Sequence, residues 1–314
     1  MIRRFTVSRL ALVAGLALAF AVPYLGVRRY YISLLALVFI AALLAVSVNM
    51  LAGQMGLVSV GHAGIAASAS YAIGWSVNQG HGYPTQLLLA LAATLVVSAV
   101  YALTSMRTSG IFFLMVTLAL GMVVFGLAYR LSRVTGGENG LRGIWRPPAV
   151  SEAWKFYYLC LGVLVLAMLA LWVIQRSPFG LVLRGIRDSE SRMSSLGYSV
   201  PAYKFFAIMI SGLVAGLAGV LSVWHAEFVS PSSAGFLRSA LTVIMVILGG
   251  VGTFLGPVVG AGVVVWTENA VSTHIERWPT LLGLIFIIVV LFAPQGLVGT
   301  ATARLRRRRS RTSG

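Results

Sequence analysis

The sequence predicts an all-α integral membrane protein, a polytopic bundle of about ten transmembrane segments (eight to ten), some of them broken or re-entrant. Three observations carry this. Only 10% of the 314 residues are charged and 59% are hydrophobic, whereas an ordinary soluble domain has about 25% charged residues with which to cover its surface. Apolar runs recur along the whole chain, giving a mean hydropathy of +0.92. The basic residues responsible for the formal charge of +17 are gathered between or after those runs, as the positive-inside rule requires of a membrane protein. A soluble enzyme and a disordered chain are both excluded by this composition.

A helix needs roughly 20 residues to cross a hydrocarbon layer about 30 Å thick. The predicted segments are 10–27, 32–52, 58–78, 85–105, 110–129, 156–174, 203–224, 236–250, 254–271 and 280–298. The first follows Arg3, Arg4 and Arg9 in the manner of a secretory leader, but no clear small-x-small cleavage site precedes Arg28 and Arg29, so it reads as a retained span. Segments 236–250 and 254–271 are short and joined through Gly249, Gly250, Gly252, Gly256 and Pro257. That composition points to a helix break beside a pathway, or to close packing.

With the N-terminus inside, ten crossings place Arg107, the loop 175–202 and the basic tail 300–314 in the cytoplasm, together with both termini. Arg28, Arg29, Arg130, Arg133, Arg142 and Arg146 then fall outside, so the charge rule is met by the majority only. The whole of 1–314 reads as one transmembrane domain with an external, turn-rich loop at 130–155. In the cytoplasmic loop, Leu183, Ile186, Met193 and Leu196 share a helical face while Arg184, Arg187, Asp188 and Glu190 point elsewhere. This predicts an amphipathic helix lying at the membrane surface. The tail, rich in Arg304 to Arg311, is read as an anchor to anionic membrane lipid rather than a nucleic-acid contact.

Several chemistries are absent from the pattern. The two lysines, Lys155 and Lys204, are not preceded by the glycine of a phosphate-binding loop, so the chain holds no ATP in that manner. His62, His81, His225 and His274 are dispersed, and Cys160 is the single cysteine, which predicts no metal site and no internal disulfide. No nucleophile elbow is present, so the chain is read as a non-enzyme. An intramembrane reaction using His62 or His225 with a glutamate is disfavoured for want of any catalytic spacing.

Polar groups at membrane depth must face protein or water. Asn49, Gln54, Ser59 and His62, in the stretch 49–63, are therefore the candidate translocation-path residues of a discontinuous helix. Hydrogen bonding to neighbouring helices is the competing explanation, and for His62 the preferred one. Gly212, Gly216 and Gly219, with Ala215, are spaced for close helix packing. Acids are scarce in the spans, Glu227 and Glu268 being the nearest, which lowers but does not remove the reading as an ion-gradient-driven secondary carrier of a small solute.

An ordered set of motifs resembles the LivM-type permease subunit of ATP-binding-cassette importers for branched-chain amino acids. The matching stretches are Gly53-Gln54-Met55-Gly56-Leu57-Val58-Ser59-Val60-Gly61-His62-Ala63, Thr135-Gly136-Gly137-Glu138-Asn139-Gly140-Leu141, Ser177-Pro178-Phe179-Gly180 with Leu183-Arg184-Gly185-Ile186-Arg187-Asp188-Ser189-Glu190, Leu248-Gly249-Gly250-Val251-Gly252-Thr253-Phe254-Leu255-Gly256-Pro257, and Pro294-Gln295-Gly296-Leu297. Leu241-Thr242 stand where the family often has an acid, and Met193-Ser194-Ser195 replace its small and acidic residues.

The resemblance implies a heterodimer with a second permease subunit, two ATP-binding subunits that hold the ATP and Mg, and an external solute-binding protein. The Ala- and Arg-rich, Lys-poor composition fits a GC-rich bacterium and hence a bacterial plasma (inner) membrane. Arg184, Arg187, Asp188, Glu190 and Gly197 would occupy the helix that couples to the ATPase, and Glu190→Lys is expected to uncouple docking without disturbing the fold. Branched-chain amino acids, other small amino acids, amides and urea all remain open as solutes.

Overall fold

The computed structural model describes residues 28–271 and 295–300, with single positions at 20, 23, 280, 283, 284, 287 and 291. The predicted segments 10–27 and 280–298 and the tail beyond Thr300 lie wholly or mostly outside the described residues. Among the described residues the protein is helical apart from one two-stranded ribbon. In chain order the helices are α1 (Arg29–Met55), α2 (His62–Asn78), α3 (Tyr83–Ser105), α4 (Gly110–Arg130), the short α5 (Ser132–Thr135), α6 (Ala153–Arg176), α7 (Pro178–Asp188), α8 (Glu190–Ser195), α9 (Val200–Ala226), α10 (Phe236–Gly249) and α11 (Gly256–Val271). Strands β1 (Leu141–Arg142) and β2 (Phe228–Val229) pair antiparallel.

Among the described residues five helices, α1, α3, α4, α6 and α9, are long and apolar enough to cross a membrane. At 1.5 Å per residue the 14-residue α10 and 16-residue α11 reach only about 21 and 24 Å, short of a core about 30 Å thick. They pack against each other as an antiparallel hairpin: a Cβ at Gly249 would strike the Gly256 carbonyl, and one at Gly260 the Met245 carbonyl.

The centre of the bundle is α1 and α9. Helix α9 packs on α1, α2 and α3, and α1 packs on α6, α9 and α11. The close approach comes from the predicted small-residue spacing. Gly212 and Gly216 lie against Ser98 and Thr94, one turn apart on α3, and Gly219 lies against the Ala66 carbonyl of α2. Any side chain at these positions would push the helices apart and remove dispersion contacts on both sides.

The loop 130–155 is an ordered cap. Gly136, Gly137, Gly140 and Gly143 all have positive φ, which explains the glycine-rich motif as a chain of tight turns. It delivers β1 to β2, in register Leu141 with Val229 and Arg142 with Phe228. Arg146 then donates to the Trp224 carbonyl at 2.7 Å and the His225 carbonyl at 3.1 Å, lies 3.8 Å from the Glu227 carboxylate, and covers the Phe156 ring at 4.4 Å. A cation is thereby set on the carbonyl end of α9, where the helix dipole favours it.

Candidate functional site

Helix α1 stops at Gly56, whose left-handed backbone (φ 69) ends the helix. Its N–H bonds the Ala52 carbonyl at 3.1 Å and the Leu57 N–H the Leu51 carbonyl at 3.3 Å. The six residues 56–61 before α2 are not helical, yet Leu57, Ser59, Val60 and Gly61 are buried. Backbone in that state must find partners inside the protein. The Val60 N–H donates to the Thr117 hydroxyl at 3.3 Å, the Gly61 N–H to the Ser59 hydroxyl at 3.4 Å, and the Tyr101 hydroxyl to the Gly61 carbonyl at 3.0 Å. Helices α3 and α4 thus satisfy the broken segment. Gly61 has to be glycine, since a Cβ there would meet the Thr117 carbonyl and lie 2.6 Å from the Tyr101 ring.

His62, at the first turn of α2, is 2% exposed. Its Nδ1 lies 2.7 Å from the Ser59 hydroxyl and its Nε2 2.7 Å from the Ser211 hydroxyl, which donates to the Ser47 carbonyl at 2.6 Å. One ring nitrogen donates and the other accepts in the neutral imidazole, so this is a closed hydrogen-bonded cluster joining α1, α2 and α9. A structural role for His62 fits this arrangement.

Asn49 serves a second junction. Its Nδ2 donates to the Thr253 carbonyl at 3.1 Å and its Oδ1 accepts the Gly252 N–H at 2.8 Å, fastening the α10–α11 turn to α1. Gly53, one turn further, allows that turn close, for a Cβ on it would lie 2.6 Å from Gly252 Cα. Gly250 (φ 113) and Gly252 (φ 76) form the turn itself, and Pro257 sits buried in the first turn of α11. The buried Gln54 amide oxygen has no protein hydrogen-bond partner among the described residues.

The loop 175–202 is two helices rather than one. Ser177 and Ser189 cap α7 and α8, accepting the N–H groups of Gly180 at 3.4 Å and Arg192 at 3.3 Å. The extended backbone at Ser189 (φ −166, ψ 108) breaks the predicted single amphipathic helix. Leu183, Ile186 and Met193 are buried as expected, whereas Leu196 is 66% exposed, a correction to the predicted apolar face that follows from the break.

The charged residues of this loop divide into two sets. Arg187, although exposed, donates to the Gly53 carbonyl at 2.7 Å. Glu190 pairs at 2.6 Å with Lys204, a side chain 1% exposed that also donates to the Thr108 carbonyl at 2.9 Å. Arg184, Asp188 and Gly197 remain on the surface beside Leu181, Leu196 and Tyr198. Glu190→Lys, expected from sequence to leave the fold undisturbed, would set a second cation against buried Lys204, so its effect on the fold is not neutral.

A small open-mouthed cavity of about 70 Å³ lies between α1, α2, α9 and α10. Its walls are mainly small and apolar, with Leu44, Ala63, Ala67 and Met245 among them, and Arg238 and Thr242 contribute from α10. None of Asn49, Gln54, Ser59 and His62 lines it. The walls stop at Leu44 and Ala63, so the His62 cluster lies just past the cavity's end, followed by Asn49 and then by Gly53 with Arg187.

Sequence reasoning missed Tyr101, Thr117 and Ser211, whose hydroxyls carry no signal until the helices are assembled. Lys204 and Arg238 were more visible, as single cations inside segments predicted to span, where an ionisable residue marks function by default. Among the described residues no group of three or more His, Cys, Asp or Glu side chains is placed to hold a metal.

These features define a multi-pass helical membrane protein whose broken central helices surround a cavity, the class to which solute permeases belong. A family model described as "Branched-chain amino acid transport system / permease component" matches residues 30–293, and the chain belongs to that family. It is 28% identical to the high-affinity branched-chain amino acid transport system permease protein LivM of Escherichia coli (strain K12), over 98% of this chain and 79% of the relative. The protein of the same name from Salmonella typhimurium is also 28% identical over the same shares. The autoinducer 2 import system permease protein LsrC of Enterobacter sp. (strain 638) is 25% identical over 60% of this chain and 56% of its own length. No solved structure matches the chain.

Proposed function

We propose that the protein is the permease subunit of an ATP-driven importer that carries branched-chain or similar small amino acids across a bacterial inner membrane, with both termini cytoplasmic. The single observation that carries the mechanism is the double attachment of α7 and α8. The pair shows a surface of Leu181, Arg184, Asp188, Leu196 and Tyr198 to the outside while Arg187 grips the end of α1.

A cytoplasmic ATPase bound to that outer surface would displace α7, and Arg187 would pass the movement to Gly53. Because Gly252 lies against Gly53 and both Gly252 and Thr253 are bonded to Asn49, the α10–α11 hairpin would move with it. That hairpin carries one wall of the cavity. The Ser47–Ser59–His62–Ser211 cluster would be the closed gate between the cavity and the cytoplasm, opened when α1 and α9 shift relative to α2. Alternation of this kind requires the ATPase to hold α7 differently in its two states, since a partner with equal affinity for both shifts nothing.

On this reading the chain pairs with a second permease subunit, two ATP-binding subunits and an external solute-binding protein, and ATP and Mg stay on the ATPases. The relatives named as permeases of transport and import systems leave the ion-gradient-driven carrier the less favoured alternative. The test is purification in gentle detergent from the native membrane, with mass spectrometry of what accompanies the chain. A second permease and ATPases bearing the phosphate-binding-loop motif are expected. Recovery of this chain alone, with uptake abolished by a protonophore at constant ATP, would overturn the proposal.

A further inference from the structure

The cavity contains one charge that the fold does not use. Arg238, an exposed side chain in the first turn of α10, forms part of the cavity lining, and no side-chain hydrogen bond or ion pair holds it among the described residues. Leu241 and Thr242, one turn further along the same helix, supply no acid. Glu268 on α11 is close enough to feel the Arg238 charge but is not within ion-pair distance. By contrast Arg146, Arg187 and Lys204 are engaged: Arg146 on carbonyls and Glu227, Arg187 on Gly53, and Lys204 on Glu190.

An exposed guanidinium lining a cavity, with no partner of its own, is free to pair with an anion that enters. Its planar fork matches a carboxylate through two parallel hydrogen bonds. The hydroxyls of Ser222 on α9 and Ser233 before α10 also line the cavity. The remaining wall, with Leu37, Leu44, Ala67 and Met245, is suited to an aliphatic group.

We infer that Arg238 is the carboxylate-recognising residue of the translocation cavity, holding a small amino acid by its α-carboxylate with the aliphatic side chain against the Leu44–Ala67–Met245 wall. The inference rests on the importer reading and deepens it by assigning the site and the group recognised. Among the described residues no lining carboxylate faces the amino group, so the cavity discriminates on the carboxylate and the apolar side chain, and selection for the amino group falls elsewhere in the transporter.

The test uses the intact transporter, with its co-purifying subunits and binding protein, in proteoliposomes supplied with ATP. Labelled leucine uptake is compared for wild type, Arg238→Gln and Arg238→Lys. Loss of a charge-assisted pair predicts that Arg238→Gln lowers the maximal rate about tenfold or more. Arg238→Lys should recover part of it, with leucine affinity of the isolated binding protein unchanged. As a second variant, Thr242→Glu places an acid one turn from Arg238 to occupy it, and should depress uptake although Arg238 is present.

Unchanged uptake in Arg238→Gln, or in Thr242→Glu should Arg238→Gln fail to assemble, overturns the assignment and leaves the importer reading standing. A wild-type transporter that moves no amino acid under ATP overturns the importer reading itself, and this inference with it.

Discussion

Helices α1 and α9 and helices α3 and α4 are equally able to cross a bilayer by length and hydropathy, but they live in different solvents. In their most apolar windows α1 and α9 are each 67% buried within the protein, whereas α3 is 28% and α4 22% buried. Leu88, Val96, Leu103, Ile111, Phe112 and Met115 face outward from α3 and α4. The central pair is interrupted or crowded: α1 gives way to irregular backbone at Gly56, and α9 carries Gly212, Gly216 and Gly219. The outer pair is continuous. Backbone can leave the helix at membrane depth only where protein supplies hydrogen bonds in place of water, so breaks belong to the interior and unbroken helices to the periphery. The outer pair sends Tyr101 and Thr117 to hydrogen-bond the backbone of that break.

The sharpest way to break the comparison is to put the same side chain in both regions. Gly219→Val drives its Cβ into the Ala66 carbonyl, while Gly126 on α4 has nothing within 4 Å of a new Cβ. The central change should cost at least the upper part of the usual overpacking range of about 1–3 kcal/mol. Gly126→Val should stay within about 0.5 kcal/mol of wild type. Thermal unfolding in detergent, followed by size-exclusion chromatography, measures both, and equal losses would show that α9 is not central.

Next in size is Asn49→Leu, which removes the bonds to Gly252 and Thr253 and leaves a donor and an acceptor at the hairpin turn without partners. A loss of about 2 kcal/mol is expected, together with reduced coupling of ATP hydrolysis to uptake. Full coupling at reduced stability would confine Asn49 to a structural role.

Glu190→Gln should cost about 1 kcal/mol, less than breaking a fully buried pair, because the carboxylate is 40% exposed and solvent screens part of the interaction. Double-mutant analysis with Lys204→Met isolates the pair from its surroundings. Additive losses would mean that Lys204 is held by the Thr108 carbonyl alone.

The smallest effect lies at the exposed loop before α6. The Glu152 carboxyl is held below the ordinary carboxylate range, first by the hydrogen bond from Lys155, then by that from Trp154. A group whose folded pKa is depressed contributes stability above its unfolded pKa and loses it as pH falls through the folded value. Melting should therefore be insensitive to Glu152→Gln at neutral pH within error, as expected of an exposed pair. Any difference from wild type should vanish in acid. A pronounced effect at neutral pH would show that the loop before α6 is more than a solvated surface.

Much of this architecture was legible because hydropathy is local. The predicted segments 32–52, 85–105, 110–129, 156–174, 203–224 and 236–250 agree with α1, α3, α4, α6, α9 and α10 to within a few residues. The glycine spacing on α9 was also readable as packing, since small residues four apart have one strong physical meaning in lipid. The loop 175–202 was visible as amphipathic, but its division at Ser189 was not, because Leu196 continues the periodicity that the backbone abandons.

The candidate residues fared according to how far their partners lie along the chain. Asn49, Ser59 and His62 were recognisable as polar groups that must face inward. Their partners, Gly252, Thr253 and Ser211, come from distant segments, and no spacing rule announces them. Arg187 and Glu190 looked alike in sequence to Arg184 and Asp188. Only assembly brought the first two within bonding distance of Gly53 and Lys204.

By itself the sequence determined that the chain is a helical membrane protein, where its helices run and which family it belongs to, because each of these depends on short-range composition or on motif order. The tertiary structure decided which helices are central, where the cavity lies and that Arg238 lines it. Those outcomes depend on helix rotation and on contacts between residues far apart in the chain. In a bundle whose helices are apolar on nearly every side, hydropathy does not specify which side faces the core; close approach at glycine and side-chain bonds to freed backbone do.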